Sequence, residues 1–149
     1  LLFDSWIEDH LRQPWLIAIA LAAFSVVMYA ADRRTNETRT IRSIGIVDAA
    51  LIGVAQAMAL FPGVSRSGAT LSMGLFRDLT RDSAARFAFL LGTPAFVGAA
   101  ILKSGDLASL SGREGLELAI GFVCSAVVGF AVIHYLLRFL RTHTLTPFI

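Results

Sequence analysis

The sequence predicts an all-α integral membrane protein in which transmembrane helices accompany a re-entrant helix-loop-helix hairpin. Hydrophobic residues make up 56% of the chain and the mean hydropathy is +0.69. Both values are too high for an ordinary soluble domain of 149 residues. The apolar residues also fall into separate runs, and one run is interrupted by a short polar motif. We therefore treat the chain as a single membrane domain.

The first transmembrane helix is predicted over residues 15–31. This uncharged run rises about 25 Å as a helix, which is just enough to cross the bilayer core. Pro14 suits the first turn, and Trp15 and Tyr29 lie near the two ends, where amphipathic rings favour the interface. The basic residues that follow place this end in the cytoplasm. They are Arg33, Arg34, Arg39 and Arg42.

Residues 45–77 are predicted to form the re-entrant hairpin. The first arm is apolar except for Asp48 and Gln56, and Asp48 is expected to pair with an arginine of the adjoining basic loop. The second arm is too short to cross, because a helix from Ala69 to Phe76 rises only about 12 Å. The chain should therefore turn at the motif and return to the side that it left. Irregular backbone at this depth is typical of an active-site or permeation loop.

Two further transmembrane helices are predicted over residues 84–102 and 117–137. Arg77, Arg81 and Arg86 follow the hairpin and agree with its return to the cytoplasmic side. Arg81 and Arg86 could be interfacial anchors or parts of a phosphate path. The apolar face of the 84–102 helix could meet either lipid or a second subunit, so a homodimer is one of two alternatives.

Charge and cysteine content exclude several classes of protein. The formal net charge is only +2, and it arises mostly from arginines near the ends of apolar runs, so nucleic-acid binding has little support. The single cysteine, Cys124, excludes an internal disulfide and a cysteine metal cluster. Residues 1–13 have no initiator methionine and do not resemble a signal peptide. We expect the chain to be part of a longer protein.

The motif at residues 62–70, PGVSRSGAT, is the candidate functional site. An arginine at bilayer depth needs an anionic partner or a wet cavity, and here the hydroxyls and glycines around Arg66 favour a phosphate. Glycines allow successive backbone N–H groups to point into one concavity, and Thr70 is expected to cap the helix that follows. The candidate phosphate ligands are Gly63, Ser65, Arg66, Ser67, Gly68 and Thr70.

The motif lies within a run, GVAQAMALFPGVSRSGAT at residues 53–70, that resembles the second signature of the bacterial undecaprenyl-diphosphate phosphatases associated with bacitracin resistance. The resemblance continues through AARFAFLL at residues 84–91 and reaches LLRFL at residues 136–140, so it covers most of the chain. It implies two inverted repeats whose hairpins meet near mid-membrane. This chain would match the end of the first repeat and most of the second.

The resemblance also implies an activity and a location. The activity is hydrolysis of undecaprenyl diphosphate to undecaprenyl phosphate and phosphate in the bacterial plasma membrane, which recycles the lipid carrier for cell-wall synthesis and gives bacitracin resistance. It further implies a divalent cation, Mg²⁺ or Ca²⁺. The family places paired glutamates and a serine/histidine segment in the first hairpin, which this chain does not contain. We therefore assign no metal ligand here and expect this segment alone to be inactive.

Within this hypothesis, Arg66 clamps the terminal phosphate and is the principal catalytic candidate. Ser65 could instead be the nucleophile, but no base lies within sequence reach, so ligand binding is favoured. Gln56 is favoured as an interhelical hydrogen-bonding residue, and a supporting role at the phosphate is its alternative.

Two other functions are compatible with the sequence. Inverted repeats with broken helices are also the architecture of many secondary transporters, so a polyprenyl-phosphate transporter or flippase is the alternative. A carrier needs only an anion site with alternating exposure, whereas a hydrolase needs acid/base or metal-binding residues. A third possibility is that this chain in isolation is purely structural.

Overall fold

The computed structural model describes residues 13–107 and 112–149, so the interpretation of residues 1–12 lies outside the described part. The described residues form helices and short 3₁₀ turns, with one isolated backbone bridge between Arg39 and Leu79. The all-α prediction is confirmed. The α-helices are α1 Pro14–Arg34, α2 Ile46–Ala57, α3 Arg66–Phe76, α4 Arg81–Leu107 and α5 Gly112–Phe139, and the 3₁₀ turns are Ile41–Ser43, Met58–Leu60 and Thr146–Phe148.

Three of these helices, α1, α4 and α5, are long and apolar enough to cross a membrane. At most 11% of the apolar window of any of them is buried inside the protein. So large an outward-facing apolar surface is stable only when lipid or another protein segment covers it. The prediction of an integral membrane protein is therefore confirmed.

Helix α3 lies at the centre of the fold and packs against α1, α2 and α4. Its side chains are buried from Gly68 to Leu75, with the exception of the partly exposed Met73. Gly74 allows α4 to come close, because a Cβ atom there would lie 2.9 Å from the Cβ of Ala84. A helix buried on most of its surface holds its N-terminal turn, and therefore the motif, in a fixed position.

A buried carboxylate joins the two ends of the hairpin arms. Asp48, in the first turn of α2, is only 3% exposed and accepts hydrogen bonds from Arg39 at 2.6 Å and from Arg77, at the end of α3, at 2.7 Å. The predicted pairing of Asp48 with the basic loop is thus confirmed. Arg77 is a second partner of Asp48 that the sequence did not predict. The start of α2 and the end of α3 therefore lie side by side, with the motif at the opposite end of the hairpin.

The same contacts predict how stability depends on pH. Hydrogen bonds from Arg39, Arg77 and the Gly45 N–H hold the pKa of Asp48 well below its usual range. A carboxyl with a lowered folded-state pKa stabilises the fold above its unfolded pKa, about 3.9, and loses that contribution as the pH falls. Asp48→Asn should therefore lower the melting temperature at pH 7. The gap in melting temperature between wild type and variant should narrow below about pH 4. A gap that stays constant during acid titration would contradict this assignment.

A second buried carboxylate joins α1, α4 and the C-terminal segment. Asp32, 4% exposed, accepts a hydrogen bond at 2.6 Å from Arg81, and its other oxygen accepts one at 3.2 Å from the Leu145 N–H. Arg81 also pairs with Glu37. These contacts give Arg81 a structural role, in that it joins α1 to the start of α4.

Candidate functional site

The motif forms the apex of the hairpin, between the 3₁₀ turn that ends at Leu60 and the start of α3 at Arg66. Gly63 has a φ of 90°, a conformation that side chains disfavour. It also touches α1, since a Cβ at this position would lie 2.7 Å from the Cβ of Ala20 and 3.0 Å from the Ile17 carbonyl oxygen. Gly63 therefore serves the turn and its docking on α1, and it offers no side chain to a ligand.

Gly63→Ala should lower the melting temperature of the protein. The variant needs a strained φ and a displaced α1, which together cost about 1 to 3 kcal/mol. Gly115→Ala, in α5, is the matched control, because in the described part of the chain a Cβ at that position would meet no atom within 4 Å outside its own helix backbone. Thermal unfolding in detergent measures the difference, and equal melting temperatures for the two variants would refute the proposed role of Gly63.

Ser65 is the N-cap of α3, and its Oγ accepts a hydrogen bond from the Gly68 N–H at 3.2 Å. The prediction that Thr70 caps this helix is wrong. Thr70 lies one turn further on, is 1% exposed and donates its hydroxyl to the Arg66 and Ser67 carbonyl oxygens, each at 3.0 Å. The physical reason is that α3 begins at Arg66, directly after the Gly63 turn, so that Ser65 occupies the N-cap position and Thr70 lies inside the helix.

Four donor groups at the start of α3 have no acceptor among the described residues. The backbone N–H groups of Arg66 and Ser67 precede the first intrahelical hydrogen bond, in which the Ala69 N–H donates to the Ser65 carbonyl at 2.8 Å. The Ser65 hydroxyl, whose oxygen accepts from Gly68, can still donate its proton, as can the Ser67 hydroxyl. Ser65, Arg66 and Ser67 are exposed. Together with the positive end of the helix, these groups suit an anion.

Arg66 lies beside an aromatic ring rather than a carboxylate. Its Cζ is 5.9 Å from the centroid of Phe96 in α4, within the range of a cation–π contact. In residues 13–107 and 112–149, no Asp or Glu forms an ion pair with Arg66. The positive charge is therefore held beside the ring without a carboxylate from the described residues, and its planar fork of donors can bind an oxyanion.

An apolar cavity of about 210 Å³ opens beside the motif. Ser65 and Ser67 form its polar edge. Its walls come from α1, α3, α4, α5 and the C-terminal 3₁₀ turn, and they include Met28, Leu71, Phe89, Leu136 and Phe148. An apolar chamber with a polar edge can hold an amphipathic molecule whose anionic end lies at Ser65 and Ser67, the neighbours of Arg66 in the chain.

The remaining predicted site residues lie in different surroundings. Ser65 has no hydrogen-bonded base among the described residues, and its Oγ instead contacts the Gly68 N–H. Gln56 lies on α2, and its Oε1 is buried without a hydrogen-bond partner in the part of the chain that the structure describes. Gly68 and Thr70 are buried behind the exposed residues of the apex. The structure thus brings Ser65, Arg66 and Ser67 together at one surface.

Sequence reasoning missed two features of this site. Phe96 lies 30 positions beyond Arg66 in the sequence, and an aromatic residue in an apolar helix has no local signal that marks it as an arginine partner. The cavity likewise needs five separate segments to meet. No pattern within one segment could have predicted it.

Comparison with known proteins gives a consistent result over the whole chain. The sequence model of the family described as "Bacitracin resistance protein BacA" matches residues 1–149. Similar curated proteins are the undecaprenyl-diphosphatases of Hahella chejuensis (43% identity, covering 100% of this chain and 56% of the relative), Rubrobacter xylanophilus (38%, 99% and 55%) and Nocardioides sp. (42%, 96% and 53%). The chain thus spans about half the length of the curated relatives that it matches.

Proposed function

The chain belongs to the family of bacitracin resistance protein BacA, and on this premise we propose that it forms the phosphate-binding half of a membrane enzyme that hydrolyses undecaprenyl diphosphate to undecaprenyl phosphate and phosphate. The relatives are named for this activity. The observation that carries the proposal is the exposed Arg66, which forms no ion pair among the described residues and stands between Ser65 and Ser67, the polar edge of an apolar cavity. The diphosphate group of this lipid is anionic and matches the donors of the motif. Its hydrocarbon chain is apolar and matches the cavity.

In the proposed mechanism, this half stabilises negative charge. Phosphoryl transfer spreads charge over the equatorial oxygens of the transferred group, and donors fixed before the reaction stabilise that charge. Arg66 contacts the terminal phosphate with its guanidinium, and the N–H and hydroxyl groups of Ser65 and Ser67 complete the cradle. The nucleophile and the proton donor come from the other half of the protein.

A re-entrant hairpin would carry this site to mid-membrane. Helices α2 and α3 have 12 and 11 residues, so they rise only about 18 and 16 Å, well short of the bilayer core. The ion pair between Asp48 and Arg77 joins the open ends of the two arms, which supports entry and exit on the same side. We place the protein in the bacterial plasma membrane, where its lipid substrate would be found.

A divalent cation is implied by the family resemblance alone. In the described ranges, 13–107 and 112–149, no group of three or more His, Cys, Asp or Glu side chains could hold a metal ion. The described residues therefore do not fit a metal centre, and no step of the mechanism is derived through one.

The test is phosphate release by the product of the full open reading frame, purified in detergent and supplied with undecaprenyl diphosphate. We expect release of inorganic phosphate by the full-length protein and none by a segment limited to these 149 residues. A folded full-length protein that binds the lipid and releases no phosphate would refute the proposal. Movement of undecaprenyl phosphate across proteoliposome membranes, without hydrolysis, would then favour the transporter.

A further inference from the structure

A basic groove lies away from the motif, where the start of α4 meets the end of α5. One part of it is a cavity of about 520 Å³ that has both cationic and apolar walls. A second depression continues from the first, because both share Arg86 and Arg141. The residues that define the basic groove are Arg42, Arg86, His134, Arg138 and Arg141, with Phe130, Ile133 and Leu137 as its apolar end.

Positive charge in the basic groove exceeds negative charge. Asp82 pairs with Arg86 at 3.0 Å and lies 3.6 Å from Arg141, so one carboxylate serves two guanidinium groups. Arg42 and Arg138 are exposed, and neither forms an ion pair with a carboxylate in the described part of the chain. Guanidinium groups held near one another without matching carboxylates favour a bound anion.

The groove has the polarity of a site at the membrane surface. Phe130, Ile133, Leu137 and Arg138 follow one face of α5 at helical spacing, and Phe130 is 76% exposed. From Phe130 to Arg138 the helix rises about 12 Å, so the groove passes from apolar to cationic along the expected direction of a lipid molecule.

We propose that the basic groove binds the phosphate of an anionic membrane phospholipid, with an acyl chain against Phe130, Ile133 and Leu137. A free phosphate would use the guanidinium groups but not the apolar end, and a zwitterionic lipid would lack the net negative charge. The groove shares no lining residue with the cavity beside Ser65. The proposal is therefore separate from the proposed hydrolysis.

The experiment titrates the full-length protein in neutral detergent with dioleoylphosphatidylglycerol and follows both melting temperature and lipid retention by native mass spectrometry. Removing one arginine near a membrane surface weakens attraction to anionic lipid, so Arg138→Gln should bind the lipid about fivefold more weakly. Arg42→Gln is a second variant with the same expectation. Arg113→Gln is the matched control, because Arg113 is an exposed arginine near the opposite end of α5.

Each outcome of this titration decides the proposal. Weaker retention in Arg138→Gln and Arg42→Gln, with unchanged retention in Arg113→Gln and little binding of dioleoylphosphatidylcholine, supports it. Equal retention in wild type and in both groove variants overturns it. A melting-temperature increase with inorganic phosphate equal to that with phosphatidylglycerol overturns the assignment to lipid. Lipid retention is measured directly, so the result does not depend on whether the protein hydrolyses undecaprenyl diphosphate.

Discussion

Arg66→Lys in the full-length protein is expected to reduce phosphate release from undecaprenyl diphosphate by about 100-fold, and Arg66→Ala by up to about 1,000-fold. Lysine keeps the positive charge but loses the planar fork that contacts two phosphate oxygens at once. Arg66 is exposed and has no carboxylate partner in the described residues, so neither variant leaves a buried charge unpaired. The loss should therefore appear in turnover and substrate affinity, with little change in melting temperature.

The chain offers a matched control for this experiment. Arg33 also lies over an aromatic ring, with its Cζ 5.3 Å from the centroid of Tyr29, but at the C-terminal end of α1 rather than at the hairpin apex. Arg33→Lys should keep near wild-type phosphate release. Near-normal turnover in Arg66→Lys, or an equal loss in Arg33→Lys, would show that the guanidinium fork at the apex is not a phosphate clamp.

The parts of the fold that the sequence predicted are those with local signals. Long apolar runs predict helices α1, α4 and α5, because a soluble domain of this size could not bury so much apolar surface in its core. Pro62 and Gly63 interrupt an apolar run and therefore mark the hairpin turn. Asp48 and Arg39 are nine positions apart, close enough in the chain for their pairing to be expected.

The parts that could not be predicted depend on contacts between distant segments. Arg77 reaches Asp48 from 29 positions away, and Arg81 reaches Asp32 from 49. An arginine that follows an apolar run has the same local pattern whether it faces lipid headgroups or enters an ion pair, so the sequence left the role of Arg81 open. The prediction of the N-cap of α3 was wrong for a related reason, because serine and threonine are both good capping residues and the sequence offers Ser65 and Thr70. Only the three-dimensional path of the turn selects Ser65.

The second large effect is expected from Asp32→Asn, which should reduce the free energy of unfolding of the full-length protein by about 3 kcal/mol. Removing the carboxylate leaves Arg81, whose side chain is 14% exposed, with Glu37 as its remaining charged partner. Breaking a buried ion pair from one side leaves a charge without full compensation, and this costs more than the pair contributes.

Denaturant unfolding in mixed micelles measures this loss, and Glu117→Gln is its control. The ion pair of Glu117 with Arg113 has side chains that are 65% and 90% exposed, so its removal should cost less than about 0.5 kcal/mol. Because Asp32 also accepts from the Leu145 N–H, Asp32→Asn should in addition increase hydrogen exchange at Leu145. Similar losses in the two variants, or unchanged exchange at Leu145, would mean that Asp32 does not join α1 to α4 and the C-terminal segment. A loss of stability in Asp32→Asn but not in Glu117→Gln would mean that the buried carboxylate of Asp32 positions α1 and α4, which form part of the wall of the cavity beside Ser65.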